Sequence, residues 1–187
     1  MPDVAKDPLK IDRPLVLIGL MGAGKSTVGR RLANRLKVRF TDSDDEIETA
    51  AYCSIADIFE KYGEIEFRAL EQRVMNRLLA EGPLVLATGG GVFLNDEIRA
   101  RILASGTVIW LKAGLDVLAA RTALRGGRPL LETGDPRATL EKLINERYPV
   151  YGEAHIIIDT DAETLDSTVD KIVEALTHHY TTSGTRP

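Results

Sequence analysis

Five short hydrophobic runs recur along the chain, and each is nearly continuous rather than alternating with polar residues. Runs of this length, rich in leucine and β-branched residues, are typical of strands buried on both faces of a sheet. Between them lie segments whose hydrophobic residues recur every three or four positions, as on one face of an α-helix. We therefore predict strands at Leu15–Ile18, Val38–Thr41, Leu84–Thr88, Thr107–Leu111 and Ile156–Asp159.

Helical segments alternate with these strands, and two of them carry recognisable start signals. Ser54 followed by Asp57 resembles a capping pair, and Asn95 before a hydrophobic position is a second N-cap. Strands that alternate with helices require crossover connections, which produce a parallel sheet covered on both sides. The predicted fold class is α/β, with a five-stranded parallel sheet sandwiched by helices.

The length of 187 residues fits one domain, which we place at residues 13–180. Residues 1–12 are polar and lack periodicity, so we interpret them as a flexible leader, and residues 181–187 as a flexible tail. The segment at about 121–136 is dense in glycine, proline and arginine and predicts a mobile lid. The alternative is a surface connector whose arginines only keep it solvated.

Composition excludes some classes of function. The net charge is −4 and aromatic residues make up 5% of the chain, so neither nucleic acid nor a membrane is an expected partner. The single cysteine cannot form an internal disulfide, and the N-terminus lacks the apolar run of a signal peptide. We expect a cytoplasmic protein.

The strongest functional motif is GLMGAGKS at residues 19–26, which matches the phosphate-binding loop pattern G-x-x-x-x-G-K-[ST]. It follows the first predicted strand and precedes a helix predicted from Thr27. In such loops successive backbone N–H groups point at phosphate oxygens. Lys25 would bridge the β- and γ-phosphates, and the Ser26 hydroxyl would bind Mg²⁺. The motif predicts a nucleoside-triphosphate site.

Carboxylates follow the second predicted strand at Asp42 and Asp44, and three glycines follow the third at residues 89–91. Residues two apart on an extended chain share a side, so both carboxylates are predicted to face the phosphates, one toward magnesium and one as a base. On the alternative reading, Asp44 is only an acidic first-turn residue of the next helix. Taken alone, Arg68 and Arg147 are typical of solvated helix arginines.

In combination, these motifs resemble the shikimate kinase family. The resemblance rests on GLMGAGKSTVGRRLA, FTDSD, SIADIFEKYGEIEFRALE, TGGG and GRPLL, in this order from about Arg13 to about Leu176. It implies a P-loop kinase fold with a mobile lid. It also implies ATP-dependent phosphorylation of the 3-hydroxyl of shikimate to shikimate 3-phosphate, with Mg²⁺, in aromatic amino-acid biosynthesis. We expect a monomer.

The resemblance also implies roles for individual residues. Asp44 is implied as catalytic base, with Lys25 and Arg128 stabilising the transferring phosphate. Ser26 and Asp42 are implied as the magnesium site, and Arg121 as a surface on which adenine stacks. ATP contacts are implied at Gly22, Ala23, Gly24, Lys25, Ser26, Thr27, Arg121 and Arg128. Shikimate contacts are implied at Asp44, Arg68, Gly89, Gly90, Gly91 and Arg147, the two arginines gripping its carboxylate.

Two other functions stay open at this point. A related small kinase could act on another sugar acid, such as gluconate. A nucleotide-dependent regulator without turnover would tend to lose Asp44 or Arg147, and this chain keeps both. Turnover with a panel of acids separates these alternatives.

Overall fold

The computed structural model describes residues 9–124 and 134–184. At its centre is a five-stranded parallel sheet with the strand order β2-β3-β1-β4-β5. The α/β fold class and the parallel sheet are therefore confirmed, and each predicted strand lies within one residue of an observed one. The strands are β1 (Leu15–Ile18), β2 (Arg39–Asp42), β3 (Leu84–Ala87), β4 (Thr107–Lys112) and β5 (Ile156–Asp159).

Helices connect the strands and cover the sheet. Two N-caps are the predicted ones: Ser54 and Asp57 form a capping box, and Asn95 accepts hydrogen bonds from two backbone N–H groups. A short 3₁₀ turn, Val92–Leu94, follows the triple glycine. The α-helices are α1 (Lys25–Leu36), α2 (Ser43–Ala51), α3 (Ile55–Ala80), α4 (Asp96–Ser105), α5 (Leu115–Ala123), α6 (Pro136–Tyr151) and α7 (Leu165–Thr182).

Strand position in the sheet explains the hydrophobic pattern. Every residue of the inner strands β1 and β3 is buried, which is why both read as unbroken hydrophobic runs. The edge strand β5 alternates instead: Ile156 and Ile158 are buried, whereas Ile157 is half exposed. No helix within the described ranges is long and apolar enough to cross a membrane.

The predicted segment boundaries differ from the structure in three places. Ile11, in the segment interpreted as a leader, packs into the core, and α7 extends through Thr182 into the predicted tail. Residues 121–123 of the predicted lid belong to α5, and α6 begins at Pro136. Both differences at the chain ends have the same cause. In a short polar stretch, neither a single apolar core residue nor an extra helical turn is predicted from the local pattern, because tertiary packing stabilises them.

Helix α3 is broken at Gly63, whose φ of 81° and ψ of 176° are not helical. A positive φ strains residues that carry a Cβ, so this position favours glycine. The break divides α3 into a part that carries Phe59 and a part that carries Phe67 and Arg68. Gly63 thus sets the direction in which the second part presents its side chains.

Candidate active site

A cavity of about 480 Å³ opens where the carboxyl ends of β1, β2 and β3 meet. Ligands of open α/β sheets bind at this edge, because loops and helix N-termini converge there. The lining residues come from the phosphate loop, the β2–α2 junction, α3, the glycines after β3, and α6. They are Met21, Gly22, Gly24, Lys25, Ser26, Asp42, Asp44, Ile55, Phe67, Arg68, Glu71, Thr88, Gly89, Gly90, Gly91 and Arg147.

The phosphate loop takes the conformation that its glycines permit. Gly22 and Gly24 have φ values of 83° and 93°, which side chains disfavour, and a Cβ at Gly19 would lie 2.8 Å from the Leu111 carbonyl oxygen. Helix α1 starts at Lys25, two residues earlier than predicted. The Lys25 ammonium donates to the carbonyl oxygens of Gly19, at 2.7 Å, and Leu20, at 3.1 Å. The lysine is thus held across the mouth of the loop.

Ser26 and Asp42 form a pair of hard oxygen donors beside this loop. The Ser26 hydroxyl donates to Asp42 Oδ2 at 2.9 Å, and Asp42 Oδ1 accepts from the Asp44 N–H at 3.0 Å. Hydroxyl and carboxylate oxygens are ligands that Mg²⁺ prefers, and the ion normally keeps several waters and nucleotide phosphates as its other ligands. The chemistry of this donor pair fits a magnesium site.

Asp44 reaches the same cavity by a different route from the one predicted. The sequence pattern predicts both carboxylates on one side of an extended chain, but Asp42 ends β2 and caps α2, and Asp44 lies in the first helical turn. Both carboxylates line the cavity, but the geometric reason predicted for it was wrong, and that they face the phosphates stays a prediction. Burial, reinforced by the neighbouring carboxylate of Asp42, raises the pKa of Asp44 to about 6, while Lys25 opposes the shift.

The three glycines after β3 leave room for three charged side chains. A Cβ at Gly89 would lie 2.7 Å from Asp44 Oδ1, and one at Gly90 would lie 2.6 Å from Arg147 Nη1. At Gly91 the nearest atom, Arg68 Nη1, would be 3.4 Å away. Real Cβ contacts are longer than the first two values, so any larger residue would displace the carboxylate or the guanidinium. The triple glycine therefore brings Asp44, Arg68 and Arg147 to one wall.

Arg68 is held by an acidic partner, Glu71, that is not among the residues predicted from the sequence. Its Nη1 donates to Glu71 Oε2 at 2.9 Å, and its Nη2 donates to the exposed Glu64 at 3.4 Å. Glu71 is 2% exposed, and burial raises the pKa of its carboxyl group although Arg68 opposes the shift. The i,i+3 spacing of Arg68 and Glu71 was the available signal, but most such pairs lie on solvated helix faces.

Arg147 reaches the cavity from α6. Its Nη1 donates to the Gly90 carbonyl oxygen at 2.9 Å, and the Tyr151 hydroxyl donates to the same oxygen at 2.6 Å. The Arg147 Nε is buried and has no hydrogen-bond partner within the described residues. Tyr151 was also missed, because its i,i+4 relation to Arg147 carries no chemical signature.

Aromatic side chains form the remaining wall. Phe67 lines the cavity, and the Phe59 ring lies against it with 4.5 Å between ring centroids. Phe59 is 40% exposed and Phe67 is buried, so Phe59 covers Phe67 from solvent. The cavity thus combines an apolar wall with the guanidinium groups of Arg68 and Arg147, the ammonium of Lys25 and the carboxylates of Asp42, Asp44 and Glu71.

A second cavity of about 290 Å³ lies on the other side of the phosphate loop. Arg121 reaches it from the end of α5, with Nη2 donating to the Thr160 carbonyl oxygen at 2.9 Å and Nη1 to the Thr160 hydroxyl at 3.2 Å. The same Nη1 lies 3.5 Å from the Gly22 carbonyl oxygen. The lining residues are Gly22, Ala23, Gly24, Thr27, Val28, Arg121, Leu124, Thr160, Glu163, Leu165 and Thr168.

Most of the residues singled out from the sequence are therefore brought together. The first cavity contains the expected substrate and metal residues, and the second contains Arg121 with Gly22, Ala23 and Gly24 of the phosphate loop. Arg128, expected over the transferring phosphate, lies outside the described residues. The arrangement offers two compartments that share one phosphate-binding loop.

This fold and this pair of cavities define a P-loop kinase that acts on a small anionic molecule. The family model described as shikimate kinase matches residues 21–177. The chain is 50% identical to the shikimate kinase of Brucella canis, over 88% of this chain and 82% of that protein. The chain belongs to the shikimate kinase family.

Other relatives agree with this assignment. The chain is 47% identical to the shikimate kinase of Bartonella henselae, over 91% of this chain and 81% of that protein. Among solved structures, it is similar to shikimate kinase from Acinetobacter baumannii in complex with shikimate, with a TM-score of 0.83 and 39% identity. That match covers 89% of this chain and 93% of the solved chain.

Proposed function

We propose that this protein transfers the γ-phosphoryl group of ATP to the 3-hydroxyl of shikimate in the cytoplasm, as a step of aromatic amino-acid biosynthesis. Family membership supports the reaction, and the two cavities on either side of the phosphate loop support two substrates. The proposal takes the chain as one kinase domain, which extends beyond the predicted bounds of 13–180 to include Ile11 and the end of α7, and it takes the protein as a monomer.

In this proposal Arg68 and Arg147 bind the carboxylate of shikimate. Each planar guanidinium can donate two parallel hydrogen bonds to a carboxylate, and the two groups lie beside consecutive glycines, Arg147 at Gly90 and Arg68 at Gly91. Phe67 packs against the carbon ring. These contacts fix the acceptor without contributing to the reaction at its hydroxyl.

Asp44 then orients the acceptor hydroxyl and accepts its proton. A carboxyl group whose pKa is about 6 is ionised at neutral pH yet is more basic than an exposed aspartate, which suits a general base. Phosphoryl transfer depends mainly on positioning and on electrostatic stabilisation of the equatorial oxygens. Lys25, bound across the loop mouth, supplies one positive charge for this purpose.

Ser26 and Asp42 would hold Mg²⁺, which when bound neutralises charge on the β- and γ-phosphates. Gly22, Ala23, Gly24 and Thr27 would contact the phosphates and the nucleoside, and Arg121 would stack on adenine. The proposal assigns Arg128 to the transferring phosphate on the basis of its place in the GRPLL motif.

The observation that carries the proposal is the convergence of Asp44, Arg68 and Arg147 on three consecutive glycines beside the phosphate loop. The test is a coupled ADP-release assay of the purified protein with MgATP and a panel of acids that includes shikimate and gluconate. We expect turnover with shikimate alone, with the phosphate on the 3-hydroxyl by NMR. Turnover with gluconate instead, or nucleotide binding without turnover, would refute it.

A further inference from the structure

The Arg121 side chain is fixed by one residue at the carboxyl end of β5. Two different guanidinium nitrogens donate to two different oxygens of Thr160, the hydroxyl at 3.2 Å and the carbonyl at 2.9 Å. Because the guanidinium is planar and rigid, two such contacts define its orientation as well as its position. A single contact would leave it free to rotate.

Thr160 is itself held rigidly. It is 3% exposed, and both its N–H, at 2.9 Å, and its hydroxyl, at 3.2 Å, donate to the Lys112 carbonyl oxygen at the end of β4. Because its proton is directed at Lys112, the hydroxyl oxygen presents a lone pair to Arg121. The orientation of Arg121 is therefore transmitted from the sheet through Thr160.

The neighbouring residue fixes the other end of the same helix. Asp161 Oδ1 accepts a hydrogen bond from the Gly114 N–H at 2.7 Å, and a Cβ at Gly114 would lie 2.9 Å from Asp161 Oδ2. Gly114 is the N-cap of α5, and Arg121 is in its last turn. Two consecutive residues after β5 thus anchor both ends of α5 beside the phosphate loop.

We propose that Thr160 is a positioning residue for nucleotide binding, which holds the Arg121 guanidinium in the orientation that stacks on a purine base. The inference rests on the proposed function, because it assumes that the second cavity receives the base of ATP. That cavity pairs Arg121 with apolar walls from Val28 and Leu165, which suits a flat heteroaromatic ring. Thr160 contributes to nucleotide binding through Arg121 and does not take over the role of the Arg121 side chain.

The test compares binding of two magnesium-loaded ligands by titration calorimetry: ADP, which carries a base, and inorganic tripolyphosphate, which does not. In Thr160→Val the hydroxyl is lost at nearly constant volume, and we expect ADP to bind about tenfold more weakly because one hydrogen bond to a charged group is lost. Tripolyphosphate affinity should not change. Thr160→Ser keeps the hydroxyl and should bind ADP as the wild type does.

Thr107→Val is the matched control. Thr107 is equally buried and its hydroxyl is hydrogen bonded to that of Tyr180 at 3.0 Å, but it lies at the amino end of β4, whereas the phosphate loop and Thr160 follow the carboxyl ends of their strands. We expect it to lower the melting temperature without changing ADP affinity. A second comparison uses the Arg121→Ala variant. If Thr160 acts through Arg121, adding Thr160→Val to this variant should have no further effect on ADP binding.

Three results would overturn the inference. ADP affinity could be unchanged in Thr160→Val, tripolyphosphate affinity could fall as much as ADP affinity, or the two substitutions could weaken binding additively. If Thr160→Val does not fold, Thr160→Ala gives the same comparison with a smaller side chain. Failure of the proposed function is distinguishable, because the wild-type protein would then bind no ADP or would not phosphorylate shikimate.

Discussion

The carboxylate of Asp44 lies directly against the backbone of Gly89, so closely that a Cβ at position 89 would be 2.7 Å from Oδ1. This contact joins the first turn of α2 to the loop after β3 and removes water from one side of the carboxylate. The same Asp44 side chain thus carries a raised pKa because of where the glycine allows it to lie.

Activity should depend on the ionisation of Asp44. Since its pKa is about 6, kcat/KM should be constant above pH 7 and should fall about tenfold per pH unit well below pH 6, where the base is protonated. Asp44→Asn should lower kcat by about 10²–10⁴-fold and remove this acidic limb. The measurement is the ADP-release rate from pH 5 to 9.

Asp170→Asn is the control for this profile, because Asp170 is an exposed carboxylate on α7, remote from the cavity. It should keep both the rate and the acidic limb of the wild type. If the fall in kcat/KM at acidic pH were unchanged in Asp44→Asn, the titration of another group would be its cause.

Replacing Asp44 should also stabilise the protein at alkaline pH. A carboxyl group whose pKa is raised on folding contributes most to stability below its unfolded pKa of about 3.8, and that contribution is lost as the pH rises through about 6. Asp44→Asn should therefore raise the free energy of unfolding by about 1–3 kcal/mol at pH 8 and by little at pH 4. Urea unfolding at both pH values measures this, and equal effects at both would contradict the raised pKa.

The sequence predicted the sheet and the phosphate loop because both depend on local signals. Unbroken hydrophobic runs identify β1 and β3. The glycine spacing from Gly19 to Lys25 directly indicates a loop whose backbone takes conformations that residues with a Cβ disfavour. The relation between Asp42 and Asp44 was predicted for the wrong reason, because where β2 ends and α2 begins is decided by the cap that Asp42 itself forms. Local patterns identified these residues but did not give their conformation.

The role of the triple glycine can be tested one residue at a time. Gly90→Ala should raise the KM for shikimate at least tenfold, because its Cβ would displace Arg147, and should leave the KM for ATP nearly unchanged. Gly91→Ala should have a milder effect, since Arg68 would be 3.4 Å away. Gly152→Ala is the control, because Gly152 ends α6 with a φ of −60° and its nearest neighbour would also be at 3.4 Å.

Steady-state kinetics with each substrate varied in turn distinguish the two KM values. If Gly90→Ala raised the KM for ATP as strongly as the KM for shikimate, the glycine would be needed for binding both substrates rather than for binding the carboxylate alone.

Glu71 should act through Arg68. Glu71→Gln removes the buried charge that holds the guanidinium, so the KM for shikimate should rise about tenfold while ATP binding persists. Glu64→Gln is the matched control: it also loses a partner of Arg68, but Glu64 is exposed and its contact is 3.4 Å, so the KM should change less than twofold. Equal effects of the two substitutions would refute the distinction between buried and exposed partners.

Glu71, Tyr151 and Thr160 were missed for a common physical reason. Each is hydrogen bonded to an arginine or a glycine that lines a cavity, either from a distant part of the chain or from a buried position, and neither property is visible in sequence spacing. Thr160 and Arg121 are 39 positions apart and meet only because β4 and β5 are neighbours in the sheet. Contacts of this kind can be predicted only once the topology of the sheet is known.

The pairing of Glu71 with Arg68 has a consequence for which molecules the cavity can accept. Glu71 offsets the charge of Arg68, so an anionic ligand at this end of the cavity gains most from Arg147, whereas Asp44 on the same wall repels it. A neutral ester would leave the charge of Arg147 uncompensated, and a dianion would place its second charge near Asp44. Inhibitors built for this end should therefore carry a single negative charge.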